Sequence, residues 1–187
     1  PRPDRALARL VRHHPAACWI LVHSGRATQA WFDAHHPRAV VIGSRHPGIR
    51  LPGVKIDVAA AARHAAGLLL RLGHRHLAFL NLRSGRAGDL ESETAFLDAG
   101  KSADARIVHH DGSPLSVDRA LSRLLLRRPR ITGLLVGHSH TYLTVVSVLA
   151  RGGLRVPEDV SIICREDDAF LDRQRALARV EPRNPTG

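Results

Sequence analysis

The side chains best suited to chemistry stand where apolar runs end. Cys164-Arg165-Glu166 closes one such run, and a carboxylate there either accepts hydroxyls from a ligand or lies in an exposed acidic loop. Gly137-His138-Ser139-His140-Thr141 closes another. His138 can donate and accept, which suits recognition of a polar ligand. His138-x-His140 also has a metal-like spacing, although no Cys or acid beside it completes a zinc set. The same segment resembles an esterase elbow around Ser139, without its final glycine. Asp57 follows a third short run and precedes a long alanine-rich stretch. It can accept two hydroxyls of a polyol, cap the helix that follows, or do both.

Other candidates are weaker by type. Arg83 and Arg86, in the Asn81 to Gly88 loop, could supply positive charge to a ligand or lie in solvent. Ser84-Gly85-Arg86-Ala87-Gly88 has the composition of a phosphate cradle, but neither a Walker lysine nor a Gly-x-Gly-x-x-Gly spacing accompanies it. The 13 histidines are spread along the chain, with His13-His14, His35-His36 and His109-His110 at element ends. No nucleophile, base and orienting group can be assembled, so neither catalysis nor a cofactor is expected.

The elements that must hold these groups alternate helix and strand, the pattern of a parallel α/β fold. Strands are expected over Ala17 to Val22, Ala39 to Ile42, Val54 to Asp57, Leu77 to Leu80, Ala105 to Val108, around Leu134 and Val136, and over Val160 to Cys164. Helices are expected over Leu7 to Val11, Thr28 to Ala34, Val58 to Leu72, Asp89 to Ala99, Ser116 to Arg127 and Thr141 to Arg151. Gly73 stands where a C-terminal cap belongs. In such a sheet, polar groups at successive strand ends border one crevice.

The stretch from Thr132 to Asp168 carries a more specific signal. Gly153, Leu154, Val156, Pro157, Glu158, Asp159, Val160 and Ser161 resemble the signature of the lactose/galactose repressor family of bacterial transcription regulators. Ile56-Asp57, an alanine-rich helix, and Leu72-Gly73-His74-Arg75-His76-Leu77-Ala78-Phe79-Leu80 resemble a second block of that family. The resemblance spans roughly Val40 to Val180. It implies a two-lobed fold of the type I periplasmic-binding-protein kind, with parallel sheets flanked by helices and the first lobe incomplete. Residues 1–57 would be a partial N-terminal lobe, 58–176 the C-terminal lobe, and 177–187 a crossing strand, around Leu177 to Val180, with a truncated tail.

The resemblance also implies an effector-sensing role. Asp57, His138, Ser139 and Glu166 match positions that contact a small sugar-like or nucleoside-like effector in relatives. Ser92 stands where relatives carry an arginine that clamps the effector, and serine cannot make a bidentate clamp. Two carboxylates without that arginine favour a hydroxyl-rich or amine-bearing ligand over a dianion. A homodimer and a cytoplasmic location are implied. DNA would be bound through a head domain outside this chain, a helix-turn-helix or a gluconate-repressor-type winged helix. A stand-alone solute-binding protein of the same fold is the alternative, followed by an α/β enzyme.

The bulk properties fit that reading. The 187 residues suffice for one large domain or two small lobes. No run approaches the ~18 apolar residues of a bilayer span, and the N-terminus does not resemble a signal peptide. The net charge is +11, carried almost wholly by arginine, and Lys55 and Lys101 are the only lysines. The arginines are scattered except at Arg127-Arg128-Pro129-Arg130, so weak, salt-sensitive attraction to polyanions is expected rather than a nucleic-acid groove. Cys18 and Cys164 lie in apolar runs and are expected as buried free thiols.

Overall fold

Runs of Val, Ile and Leu bounded by Gly, Pro and Ser alternate with alanine- and leucine-rich helices, and they assemble into two separate parallel sheets. A computed structural model describes residues 3–166. The first unit contains α1 (Pro3–His13), β1 (Trp19–Val22), α2 (Arg26–His35), β2 (Ala39–Ile42) and β3 (Gly53–Val54). The second contains α3 (Val58–Arg71), β4 (His76–Leu82), α4 (Ala87–Ala99), β5 (Asp104–His110), α5 (Pro114–Leu125), β6 (Gly133–Val136), α6 (Ser139–Arg151) and β7 (Ser161–Cys164). Every strand pairing is parallel, in the orders β1-β2-β3 and β5-β4-β6-β7. This is the layered α/β architecture implied by the family resemblance.

Local chemistry sets the element ends. Asp57 caps α3, its Oδ1 accepting the Ala60 N–H at 2.8 Å. β3 closes at Val54, opposite Ile42 where its partner β2 ends, rather than reaching Asp57. Ser113 caps α5 by accepting the Ser116 N–H, with Pro114 in the first turn where its missing N–H costs nothing. Gly73 stands just past α3 at φ 92°, a conformation that favours glycine.

Apolar burial is densest around β4 and β6. Ala78, Leu80, Leu134 and Val136 face α5 and α6 through Leu121, Val145 and Leu149. The alternate residues Leu77, Phe79 and Leu135 face α3 and α4 through Ala62, Ala66, Leu69 and Phe96. A strand buried on both faces reads as a continuous apolar run, as His76–Leu82 does. The first sheet buries Leu21, Ala39 and Val41 under Trp31 and Phe32.

The burial of the two cysteines departs from expectation. Cys164 is half-buried in β7, whereas Cys18 is exposed because β1 begins only at Trp19. The expected strand around Leu177 to Val180 lies outside the described residues.

Candidate functional site

The chain leaves β4 for β5 on one side and returns to β6 on the other, so a crevice opens between the carboxyl ends of β4 and β6. Asn81 ends the buried part of β4, and Gly137 follows β6. A Cβ at Gly137 would lie 2.4 Å from Asn81 Oδ1, so only glycine allows the amide to sit there. Asn81 is fully buried, and its Nδ2 donates to Glu93 Oε1 at 2.8 Å. His109 Nε2 lies 3.0 Å from the same oxygen.

The β6 and β7 ends meet across this edge. Glu166 Oε2 accepts the Ser139 N–H at 2.9 Å, so the carboxylate sits at the N-terminus of α6, where the helix dipole favours negative charge. Its other oxygen is 3.9 Å from His138 Nε2. The Glu166 side chain is 41% exposed and that of His138 13%. Burial lowers the His138 pKa below the ordinary value and outweighs the opposing fields of Glu166 and Asp89; Arg165 and His140 add to the lowering. His138 is therefore a neutral imidazole able to donate from one nitrogen and accept at the other. His110, at the end of β5, is pushed down to about 4 by burial, then by the fields of His138 and His140.

Arg165 is the principal site residue that the sequence did not reveal. It stands just past β7 and turns inward, away from Glu166. Its Nη1 donates to Ser92 Oγ at 2.9 Å, and its Nη2 lies 3.1 Å from Asp89 Oδ1. Its guanidinium stands 5.9 Å from the Phe79 ring centroid. The side chains of Arg165 and Asp89 are 6% and 7% exposed. Asp89 also accepts from Ser84 Oγ, and Ser92 Oγ donates to Gly88 O at 2.7 Å. Position 92 thus meets an arginine that arrives from β7 rather than α4, and Ser92 positions that arginine. Side chains 73 residues apart make this contact, which no local pattern encodes.

Several buried polar atoms on this edge lack a partner: Asn81 Oδ1, His110 Nε2, His138 Nδ1, Thr141 Oγ1 and Arg165 Nε. They belong to β4, β5, the N-cap and first turn of α6, and the residue that follows β7. An unpartnered buried polar group carries a desolvation cost, and such a concentration marks a place where water or a ligand completes the bonding.

The remaining candidates lie elsewhere. Asp57 is exposed, and its carboxylate is engaged as the α3 cap. Arg83 and Arg86 are exposed, and their guanidinium groups form no hydrogen bond or ion pair among the described residues. No cluster of three or more His, Cys, Asp or Glu among the described residues is arranged to hold a metal ion. None of the described helices is long and apolar enough to cross a membrane.

The first sheet presents its own carboxyl edge to α4. Ser44 Oγ donates to Glu91 Oε2 at 2.9 Å, and Lys55 Nζ donates to the same oxygen at 3.0 Å. Gln29, fully buried, fixes the loops of this edge by donating to Ser24 O and Ser44 O and accepting from His46 N. Beside these contacts lies a cavity of about 520 Å³ bordered by Arg45, His46, Lys55 and Glu91.

Residues 66–182 match the family described as periplasmic binding protein-like domain. No curated protein matches the chain. Among solved structures, a LacI family transcriptional regulator from Bifidobacterium animalis subsp. lactis superposes with a TM-score of 0.79 at 23% identity, over 91% of this chain and 65% of that one. A LacI transcriptional regulator from a Rhodococcus species gives 0.76 at 23%, over 93% and 66%. A LacI family transcriptional regulator from Mycobacterium smegmatis gives 0.72 at 26%, over 88% and 63%. The chain therefore spans somewhat less than two thirds of the length of each.

Proposed function

The chain belongs to the periplasmic binding protein-like domain family, and from that premise we propose that it is the effector-sensing part of a bacterial transcription regulator. A small polar molecule binds between the carboxyl edges of the two sheets, and its binding energy draws the lobes together. In a homodimer, that closure changes the spacing of attached DNA-binding heads.

The observation that carries this reading is the concentration of unpartnered buried polar atoms at the switch point between β4 and β6. Open α/β sheets bind ligands at that place. His138 offers a neutral donor and acceptor, and Glu166 an acceptor reachable from solvent. Arg165 is already neutralised by Asp89, so the edge has no spare positive charge to offset a dianion. A hydroxyl-rich or amine-bearing effector is the matching chemistry, with Glu166 accepting its hydroxyl or ammonium protons and Ser92 acting through Arg165.

Isothermal calorimetry of the 187-residue chain against neutral sugars, nucleosides, hydroxy acids and sugar phosphates tests the proposal. Saturable binding of an unphosphorylated compound, weakened about tenfold or more by Glu166→Gln, is the expected result. Binding of phosphorylated compounds alone would overturn the ligand class.

A further inference from the structure

We infer that the cavity at the carboxyl edge of the first sheet is a seat for one carboxylate group of the effector. The inference deepens the proposed function and rests on it for the rest of the ligand. The cavity, of about 520 Å³, is bordered by two cations, one buried histidine and one acid: Arg45, Lys55, His46 and Glu91.

Arg45 is held in place rather than waving in solvent. Its stem lies across Gly53, where a Cβ would come within 3.3 Å of Arg45 Cδ. Its Nη1 donates to Leu51 O at 2.8 Å. With one arm of the fork fixed, the remaining guanidinium donors are already oriented for a planar anion.

His46 supplies the second feature. It is 6% exposed, and its Nε2 is buried without a partner. Burial, then the field of Arg26, lowers its pKa, while Glu91 opposes them less strongly. The neutral ring has a nitrogen that can donate to an oxyanion entering the cavity. Gly43 and Gly48 border the same space at φ 117° and 87°, leaving the backbone approachable.

Charge selects the anion. Lys55 is offset by Glu91 at 3.0 Å, so among the cations lining the cavity Arg45 is the uncompensated one, and the field of Arg26 reaches the same space. A carboxylate matches the Arg45 charge. A phosphate dianion would bring its second charge against Glu91 in a partly desolvated space. The effector is thereby narrowed to a small hydroxyl-bearing acid, its carboxylate on the first sheet and its hydroxyls on the His138–Glu166 edge.

Histidine Cε1–H signals of the 187-residue chain, recorded while acetate or inorganic phosphate is added, test this. The His46 signal is expected to move saturably with acetate, with affinity reduced about tenfold in Arg45→Gln. Arg50→Gln, which removes a neighbouring exposed charge paired with Asp33, should leave the affinity unchanged. Unmoved His110 and His138 signals in Arg45→Gln establish that the fold persists. Absence of saturable movement, equal affinity in Arg45→Gln, or tighter binding of phosphate than of acetate would each overturn the inference. Movement of His138 with neutral polyols, without a His46 response to acetate, overturns this inference alone. A His46 response with no ligand moving His138 supports the carboxylate seat and overturns the wider reading.

Discussion

The two sheets differ in how completely they are covered, and the difference separates stability from recognition. The second sheet is buried on both faces by α3 and α4 and by α5 and α6. The first buries one face under α1 and α2 and leaves Ile20, Val22, Ile42 and Val54 exposed on the other. Their carboxyl edges differ as well. The second edge is a set of buried imidazoles, an amide and an internally neutralised arginine, while the first carries exposed cations around a cavity. The polar contacts that join the units converge on Glu91, through Ser44 and Lys55. The sheet covered on both faces holds the buried polar edge, and the sheet covered on one face meets it through Ser44 and Lys55.

The largest test of this contrast removes a buried charge from the well-covered lobe. Asp89→Ala strands the Arg165 guanidinium and should cost about 3–5 kcal/mol, as breaking a buried ion pair does. Both tryptophans, Trp19 and Trp31, lie in the first lobe, so their fluorescence reports that lobe while circular dichroism reports both. Urea unfolding of Asp89→Ala should shift the circular-dichroism midpoint far more than the fluorescence midpoint. Equal shifts would show that the lobes unfold as one unit. The double variant Asp89→Ala, Arg165→Leu should recover most of the loss, because no uncompensated charge remains.

A smaller effect is expected from pH. The folded-state pKa of His110 lies near 4, below its unfolded value of 6.5, so the unfolded chain binds more protons between those limits. The stability that His110 contributes is complete above about pH 6.5 and is lost as pH falls towards 4, a change on the order of 3 kcal/mol. The lowered pKa of His138 acts in the same direction. In His110→Asn the slope of unfolding free energy against pH over that interval should flatten. An unchanged slope would remove His110 from the account.

The smallest effect belongs to the open face of the first sheet. Ile20→Thr keeps a β-branched residue at a position 66% exposed and should change stability by no more than about 0.5 kcal/mol. A loss of 2 kcal/mol or more would mean that this face is covered in solution, and the contrast between the sheets would then fail.

How much of this was legible in the sequence follows from the range of the interactions. The alternation of apolar strands and alanine-rich helices is a local signal, and each element expected among the described residues forms, with ends moved by a few residues. The strand from Val160 forms as β7, and the helix from Val58 starts where Asp57 caps it. Strand-end positions were legible for the same reason, so His138 and Glu166 were placed on one edge from sequence and stand 3.9 Å apart. Contacts between distant segments were not legible. The arginine meeting Ser92 comes from position 165, and the acid that neutralises it, Asp89, reads in sequence as an ordinary first-turn helix residue. The Arg45, His46 and Lys55 cluster escaped notice because Arg45 and Lys55 come together only when β3 pairs with β2. Cys18 was misjudged as buried because an apolar run gives no sign of which residue starts the strand.

The central claim is that a ligand binds at the carboxyl edge between β4 and β6. Backbone amide spectra of the 187-residue chain, recorded during titration with the compound that binds most tightly in the calorimetric panel, test it most directly. The Ser139 amide is the sharpest reporter, since its N–H is donated to Glu166 Oε2 and must respond when a ligand engages that carboxylate. The account predicts saturable movement of the Ser139, Gly137 and Asn81 amides, following one binding curve that shifts to about tenfold or more higher ligand concentration in Glu166→Gln. Movement confined to the cavity of about 550 Å³ beside β5 and α5, bordered by Arg106, His109 and Arg123, with the Ser139 amide still, would contradict it.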